Sequence, residues 1–175
     1  MIITGGEYKS RKIIAPDEKI ARPTLSKVRQ GVFNVLFSEL GDFSNKSFLD
    51  LFGGSGIMGI EAISRGFQNV YVFEKNPKAA QVIKKNYSLL GLDLNLKIGD
   101  SLKLLSKFDL EADVVYVDPP YYSGIYEKVL SYLKKDGFKN SLIVLEHSVP
   151  INYEGYRILK EKSYGGKFVT FLKSE

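Results

Sequence analysis

A glycine-rich segment that begins with an acid carries the first chemical signal in this sequence. It reads Asp-Leu-Phe-Gly-Gly-Ser-Gly-Ile-Met-Gly from Asp50 to Gly59 and lies between an apolar run and a stretch with helical spacing. Gly54, Gly56 and Gly59 match the G-x-G-x-x-G pattern, which binds dinucleotides between a strand and a helix. Glu74, eighteen residues after Gly56, is placed to accept hydrogen bonds from ribose hydroxyls.

Two further acids change the ligand that this turn predicts. Asp50 begins the turn, and Asp100 follows the third apolar run. An anion at Asp50 opposes a pyrophosphate at a helix N-terminus but suits a positively charged ligand. S-adenosylmethionine, with its sulfonium and ammonium groups, is such a ligand, so we predict it as the cofactor. A tight strand-to-helix turn without a ligand is the structural alternative.

The second chemical signal is Asp118-Pro119-Pro120-Tyr121, which directly follows another apolar run. The prolines fix the chain and donate no N–H, which leaves the Asp118 carboxylate and the Pro119 carbonyl as rigid acceptors. Two acceptors, one for each N–H of an exocyclic amine, favour a pyramidal nitrogen whose lone pair points at an electrophilic methyl. Asp118 is also suited to take the proton, and Tyr121 to stack on a flipped-out base. An ordinary turn with an incidental aromatic is the alternative.

From residue 47 onward, short apolar runs alternate with stretches of helical spacing, which is typical of a parallel sheet covered on both faces. Both motifs follow strands, so both are expected at the carboxyl edge, where open sheets bind ligands. Tyr122 and Tyr126 either line a base pocket or cover the following helix, and we favour the core position. The predicted strands are 47–52, 69–74, 94–98, 112–118 and 141–146, with a closing hairpin of 156–162 and 167–172, and the predicted helices are 57–66, 76–90 and 126–133.

The first 45 residues have a different pattern: a hairpin over 2–14, a proline-containing linker and an amphipathic helix over 26–40. Residues 1–30 hold seven basic and three acidic side chains, which is most of the net charge of +5. Such a segment suits phosphate contacts, because each neutralised phosphate releases counterions. We predict a nucleic-acid-contacting extension (1–45) beside a cofactor-binding domain (46–175), with a solvated lysine-rich surface as the alternative. The candidate phosphate contacts are Arg11, Lys12, Arg22, Lys27 and Arg29.

Several classes of protein are excluded by what the 175 residues lack. The sequence has no cysteine, which excludes disulfides, thiolate metal sites and cysteine nucleophiles. The first residues form too short an apolar run for a signal peptide, and no stretch approaches the roughly 18 residues of a membrane span. We therefore predict a cytoplasmic monomer with no metal. We interpret His147, the only histidine, as a structural residue at a strand end in preference to a catalytic one.

With both motifs in place, the sequence resembles class I S-adenosylmethionine-dependent methyltransferases, and more narrowly the RsmD-like family of bacterial 16S ribosomal RNA guanine-N2 methyltransferases. The methyltransferase motifs are shared with many families, whereas their combination with the Arg-Pro-Thr and Glu-His-Ser segments is much narrower. The segments that carry the resemblance are Gly6 to Lys12, Arg22-Pro23-Thr24, Lys27-Val28-Arg29, Asp50 to Gly56, Gly59 to Ala62, Ser64-Arg65-Gly66, Glu74-Lys75, Asp118 to Tyr121 and Glu146-His147-Ser148.

The resemblance implies a Rossmann-like, seven-stranded, mostly parallel sheet that ends in an antiparallel hairpin. It implies methyl transfer to the N2 amine of a guanine, guanine-966, of 16S ribosomal RNA in a small-subunit or assembly-intermediate form. Cofactor contacts are implied for Asp50, Phe52, Gly53, Gly54, Ser55, Gly56 and Gly59 at the methionine part, for Glu74 at the ribose, for Asp100 and Ser101 at the adenine, and for Lys75, which follows Glu74. Asp118, Pro119, Pro120 and Tyr121 are implied at the target amine.

Two departures from the family pattern and three other functions remain open. Ser10 stands where the family commonly has glycine, and Gly54 where alanine is usual. DNA adenine-N6 and cytosine-N4 methyltransferases use the same Asp-Pro-Pro-Tyr motif, but no separate target-recognition region is apparent here. A nicotinamide-dependent oxidoreductase would leave Asp50, Asp100 and the Asp-Pro-Pro-Tyr motif without a role. A non-catalytic RNA-binding module is disfavoured because the acceptor pair is complete.

Overall fold

Seven strands form one sheet in this computed structural model, which describes residues 1–17, 19, 23–120 and 124–175. The Rossmann-like class that the sequence predicts is confirmed, and one strand, 69–74, has the predicted bounds. The strands are β1 (Ser47–Asp50), β2 (Asn69–Glu74), β3 (Asn95–Ile98), β4 (Val114–Val117), β5 (Leu142–His147), β6 (Tyr156–Tyr164) and β7 (Lys167–Ser174).

The strand order is β3-β2-β1-β4-β5-β7-β6, in which β1 to β5 are parallel and β7 is antiparallel to both of its neighbours. The order reverses between β1 and β4, since β2 lies on one side of β1 and β4 on the other. A crevice opens at the carboxyl ends of the strands where the order of a parallel sheet reverses. The two motifs found in the sequence follow β1 and β4, so they lie on the two sides of this point.

Local capping signals explain why both ends of the helix Pro77–Leu90 agree with the sequence-based prediction. The Asn76 side chain accepts hydrogen bonds from the backbone N–H groups of Lys78 and Ala79, and Pro77 occupies the first turn. Gly91 ends that helix in the left-handed conformation at φ 67°. Within the described residues, no helix is both long and apolar enough to span a membrane. The helices are α1 (Ser26–Leu40), α2 (Ile57–Ser64), α3 (Pro77–Leu90), α4 (Ser101–Lys107) and α5 (Ile125–Leu133), and a 3-10 turn covers Asp136–Phe138.

The helix α4 is absent from the sequence-based prediction, which places Asp100 after a strand and predicts no helix there. Asp100 is the N-cap of α4, and its Oδ1 accepts a hydrogen bond from the Lys103 N–H at 3.2 Å. The helix is a short seven-residue element with two buried residues, Ser101 and Leu105. Because two turns offer too few positions for a clear helical period, its apolar spacing gives no usable signal.

The sheet buries its two faces in two separate apolar clusters. One cluster contains Phe48, Val114 and Tyr116 together with α1, α2 and α3 residues. The other contains Leu49, Val115 and α4 and α5 residues. Alternate residues of a strand point to opposite faces, so Asp50 and Asp118 follow Phe48 and Tyr116 on the α1–α3 face.

The N-terminal extension packs into the core of the sheet, across the predicted boundary at residue 45. Ile3, Ile13, Val32 and Phe33 belong to the same apolar cluster as Phe48. The predicted hairpin is a loop with one antiparallel bridge, between Ile2 and Lys12. Its bend includes Ser10 at φ 70°, a left-handed conformation that explains why glycine is common at this position in the family that the sequence resembles.

The prediction that Arg29 contacts RNA phosphate is wrong. Arg29 is 2% exposed, and its Nε donates to Glu61 Oε1 at 2.9 Å. The remaining guanidinium nitrogens donate to the carbonyls of Thr24 and Ile2 and to the Ser26 hydroxyl. The local charge pattern groups Arg29 with Lys27 as a surface cation, but two residues two positions apart on a helix point to different sides.

Candidate active site

The glycine turn after β1 is tied to the end of β2 by backbone hydrogen bonds. The Gly53 N–H donates to the Phe73 carbonyl at 2.8 Å. The Gly54 N–H donates to Glu74 Oε2 at 2.7 Å, and the Asn76 N–H donates to Glu74 Oε1 at 2.7 Å. Both carboxylate oxygens of Glu74 therefore hold backbone at the carboxyl edge, which fixes the side chain beside the turn.

Two positive φ angles give the turn its shape. Gly54 has φ 56° and Gly56 has φ 79°, and residues other than glycine adopt this region at a cost. The Ser55 hydroxyl accepts a hydrogen bond from the Ile57 N–H at 3.3 Å at the start of α2. The turn is thus a preformed strand-to-helix connection whose N-terminal α2 amides face the carboxyl edge.

Asp50 is a buried acid beneath this turn. It is 1% exposed, and its Oδ1 accepts a hydrogen bond from the Phe52 N–H at 3.2 Å. Burial raises the pKa of Asp50 to about 7; the Phe52 hydrogen bond opposes the rise and the nearby Glu74 carboxylate adds to it. Since buried charge without an opposite charge is costly, this position favours a cationic ligand.

The predicted adenine-side residues lie after β3, next to β2. The Ser101 hydroxyl donates to the Leu51 carbonyl, so the start of α4 is fixed to the end of β1. Lys75 Nζ lies 3.9 Å from Asp100 Oδ2, and its side chain is 78% exposed. Glu74, Lys75, Asp100 and Ser101 therefore form one row of polar groups along the carboxyl edge.

Asp118 follows β4 directly and is partly buried, with Pro119 buried and Pro120 exposed after it. Burial first, and then the Glu146 carboxylate, raise the pKa of Asp118 to about 8, while the Lys167 cation opposes the rise. Asp50 contributes a smaller increase, which places the two aspartates within electrostatic range of each other. Tyr121 and Tyr122 lie outside the described residues.

Glu146 and Lys167, behind Asp118, have no role in the sequence-based prediction. Glu146 is 1% exposed; its Oε2 accepts from the Tyr116 hydroxyl and its Oε1 from Lys167 Nζ, both at 2.5 Å. Tyr126 is buried, as expected, and its hydroxyl donates to the Glu146 carbonyl at 2.8 Å. A single acid at the end of an apolar strand is the signal that identified Glu74, and it applies equally to Glu146.

The two ring nitrogens of His147 are engaged within the C-terminal part of the sheet. Nδ1 lies 2.9 Å from the Val149 carbonyl and Nε2 lies 2.8 Å from the Thr170 hydroxyl. The ring also stacks on Phe168, with centroids 5.8 Å apart. These contacts support the interpretation of His147 as a structural residue.

The structure separates the basic residues of the extension. Lys27 is exposed, and its Nζ lies 5.9 Å from the ring centroid of Tyr164, at the hairpin tip on the carboxyl edge. The loop that contains Arg11 instead docks on Ser64, at the far end of α2 from the glycine turn, through the N–H groups of Glu7 and Tyr8. Arg11 and Lys12 are exposed, and Arg22 lies outside the described residues.

Asn86 joins the extension to the glycine turn and was not found from the sequence. It is fully buried on α3, and its side-chain amide pairs with the Ile14 N–H at 2.8 Å and the Ile14 carbonyl at 2.9 Å. The same amide donates to the Ser55 carbonyl at 3.0 Å. The sequence feature that could have identified Asn86 is a polar residue on the apolar face of α3, beside Ile83 and Tyr87.

Gly59 brings α2 close to β2 and α3. A Cβ at this position would overlap the Tyr87 hydroxyl and lie 3.0 Å from Val72 Cγ2. Within the described part of the chain, the Tyr87 hydroxyl is buried without a hydrogen-bond partner. Gly59 thus serves close helix–sheet packing, the role of the third glycine in such turns.

Replacing Gly59 with alanine is expected to lower the free energy of unfolding by about 1–3 kcal/mol through overpacking. Tyr87→Phe removes an unpaired hydroxyl, so we expect it to be nearly neutral alone and to reduce the loss caused by Gly59→Ala. Urea denaturation of the parent, both single variants and the double variant measures these terms. A loss from Gly59→Ala that is equally large with and without the Tyr87→Phe change would contradict the packing argument.

Comparisons with known proteins agree along the whole chain. A family model described as conserved hypothetical protein 95 matches residues 1–173. A protein named Ribosomal RNA small subunit methyltransferase D, from Escherichia coli strain K12, is 32% identical over 151 residues, covering 84% of this chain and 74% of the relative. A Haemophilus influenzae protein of the same name is 30% identical over 174 residues, covering 93% and 88%. The solved structure of the Escherichia coli protein yhhF is 27% identical and superimposes with a TM-score of 0.87, covering 100% and 98%.

Proposed function

The chain belongs to the family described as conserved hypothetical protein 95, the RsmD family that the sequence resembles, and from this membership we propose that it methylates ribosomal RNA. The reaction is transfer of a methyl group from S-adenosylmethionine to the exocyclic N2 amine of a guanine in 16S ribosomal RNA, guanine-966 by resemblance. One observation carries the proposal. The glycine turn after β1 and the Asp118-Pro119-Pro120 segment after β4 flank the point where the strand order reverses.

The acids at the carboxyl edge fit a cationic cofactor. Asp50 and Glu74 raise the electrostatic cost of an anion at the turn, whereas a sulfonium or ammonium group would stabilise both carboxylates. S-adenosylmethionine, when bound, supplies an electrophilic methyl group. We assign Asp50 and the turn to its methionine part, Glu74 and Lys75 to the ribose, and Asp100 and Ser101 to the adenine.

The Asp-Pro-Pro segment orients the amine and receives its proton. A guanine N2 amine is a weak nucleophile because its lone pair is delocalised into the ring. The Asp118 carboxylate and the Pro119 carbonyl each accept one N–H, which favours a pyramidal nitrogen and aims its lone pair across the crevice. Asp118 then takes the proton that the amine loses. We assign Tyr121 to stacking on the target base, as Pro120 keeps the segment rigid.

The exposed bases of the extension are proposed to hold the RNA on the α1–α3 face. Lys27 lies at the carboxyl edge near the hairpin tip, whereas Arg11 and Lys12 lie on the N-terminal loop, which docks on Ser64 at the end of α2. Because these groups lie against different elements of the fold, they suit separate phosphates of a structured RNA. We also propose that Arg22 contacts an RNA phosphate.

Lys27→Gln and Lys12→Gln are each expected to weaken RNA binding and to reduce the slope of log affinity against log salt by about 0.7–0.9. The lost counterion release is the physical reason. Lys139→Gln is the matched control, because Lys139 is exposed just before β5, at the opposite edge of the sheet. Fluorescence anisotropy with a 16S RNA fragment over a KCl series measures the slopes. A slope that changes as much in Lys139→Gln as in Lys27→Gln would refute the assignment.

The proposed reaction is tested on 16S ribosomal RNA from cells that lack this gene. Naked RNA and isolated small subunits are treated separately with the purified chain and S-adenosylmethionine, and their nucleosides are analysed by mass spectrometry. One additional N2-methylguanosine in either sample is the expected result. Methylation of another nucleoside, or of duplex DNA alone, would overturn the ribosomal guanine assignment.

A further inference from the structure

Glu146 and Lys167 form a charged pair next to Asp118. Neither residue of this pair has a role in the proposed reaction as described above. Val117 of β4 pairs with Leu145 of β5 in the parallel register. The same register, continued by one residue, places Asp118 opposite Glu146, at the usual spacing of about 4.8 Å between strands. Register partners in a parallel sheet point to the same face, so the two carboxylates face the same side.

Lys167 reaches this pair of acids from the antiparallel strand β7. Val169 pairs with Glu146, so Lys167, two residues earlier, lies on the same face and nearer the carboxyl edge. Its Nζ is 2.5 Å from Glu146 Oε1, and the lysine side chain is 45% exposed. The Lys167 charge is therefore held at the edge by a buried partner.

We propose that Glu146 and Lys167 are a positioning pair that sets, by opposite electrostatic effects, the charge that Asp118 presents to the target amine. Glu146 disfavours a second negative charge beside it, whereas Lys167 favours one. The Tyr116 hydroxyl donates to Glu146 Oε2 at 2.5 Å, which holds the Glu146 side chain in place. The inference rests on the proposed function, since it assigns Asp118 to the amine.

The other described groups near Asp118 do not reproduce this pair of effects. Asp50, from β1, adds a negative charge at longer range. Tyr116, from β4, and Tyr126, from α5, are neutral near pH 7, since burial raises the pKa of each hydroxyl above its ordinary value. Burial, the Glu146 carboxylate and the Asp50 carboxylate each raise the pKa of Asp118. Among the described groups, Lys167 is the cation that opposes this rise.

The direction in which each variant shifts the pH dependence of activity follows from the protonation state in which Asp118 is active. Asp118 can take the proton of the amine only when it is ionised, and its raised pKa means that activity is present at high pH and lost as pH falls through that pKa. Removing Lys167 moves the loss to higher pH, and removing the charge of Glu146 moves it to lower pH. Two variants with opposite shifts are the signature of the pair.

The experiment measures the titration of Asp118 directly in the cofactor-free chain. The carboxyl 13C shifts of labelled aspartates are followed from pH 5 to pH 10, and the Asp118 signal is assigned by its loss in Asp118→Asn. We expect the midpoint to rise by about one unit in Lys167→Met and to fall by about one unit in Glu146→Gln. Lys167→Arg keeps the positive charge and should retain the parent midpoint. Lys173→Met, an exposed change near the other end of β7, is the matched control.

Midpoints that stay unchanged, or that move in the same direction in both variants, overturn the pair. If Lys167→Met fails to fold, the other two variants still test the pair. The Asp118 midpoint should fall in Glu146→Gln and should keep the parent value in Lys167→Arg. The pH profile of kcat/KM for RNA methylation should shift with the carbon signal. Because the titration needs neither cofactor nor RNA, opposite midpoint shifts in a chain that methylates no RNA would retain the pair and refute the proposed function.

Discussion

Replacing Asp118 with asparagine is expected to lower the rate of methyl transfer by about a thousandfold and to leave S-adenosylmethionine affinity nearly intact. Asparagine has almost the same shape, but it carries no charge and cannot take the proton from the amine. Its amide also presents N–H donors where the target amine needs an acceptor. Single-turnover transfer of labelled methyl to 16S RNA measures the rate, and calorimetry measures cofactor affinity.

Asp109→Asn is the control for this prediction, because Asp109 is an exposed acid that follows α4. It should change neither the rate nor the affinity. Equal turnover in Asp118→Asn and the parent would refute the role of Asp118. A loss of cofactor affinity as large as the loss of rate would move Asp118 from the amine to the cofactor.

The second large effect is expected on stability, from the buried ion cluster that joins the extension to α2. Glu61 is 0% exposed, and its Oε1 accepts from Arg29 Nε at 2.9 Å and from the Thr4 N–H and hydroxyl at 2.8 Å each. Its Oε2 accepts from Arg65. Glu61→Ala leaves Arg29 charged and buried without its partner, so we expect the free energy of unfolding to fall by about 3–5 kcal/mol.

Urea denaturation of a four-member set tests this prediction: the parent, Arg29→Met, Glu61→Ala and the double variant. The double variant should be more stable than the two single losses added together, because it removes both charges and leaves Arg65, which is 14% exposed, able to reach water. Glu39→Ala, an exposed change on α1, should alter stability by less than about 0.5 kcal/mol. Strict additivity of the two single losses would show that the cluster does not act as a unit.

The cluster also changes how the extension is understood. Its charge suggested an appendage whose role is to bind RNA, yet Arg29 and Ile3 are part of the interior. The Asn86 amide adds a second buried connection, between Ile14 and the glycine turn. The lysines that face solvent are therefore carried on a scaffold that is built into the cofactor-side face of the sheet.

The sequence by itself determined the order of the strands and of the helices other than α4, and the position of both motifs. The bounds of α1, α3 and β2 agree with prediction, and for α3 the reason is local: Asn76 caps its start, Pro77 fits the first turn and Gly91 ends it. Such signals act within a few residues, so they can be read without the rest of the chain. The same is true of the glycine turn, where the positive φ of Gly56 favours glycine wherever the turn occurs.

Only the tertiary structure decided which charges meet. Tyr116 and Glu146 are 30 residues apart in sequence, and Arg29 and Glu61 are 32 apart, yet each pair is in hydrogen-bond contact. Their meeting depends on strand register and on which helix face is buried, and neither is encoded near the residues themselves. The same long-range packing buries Arg29, which the local charge pattern placed in solvent. It also places Glu146 and Lys167 beside Asp118, because neighbouring strands bring distant residues to one edge of the sheet.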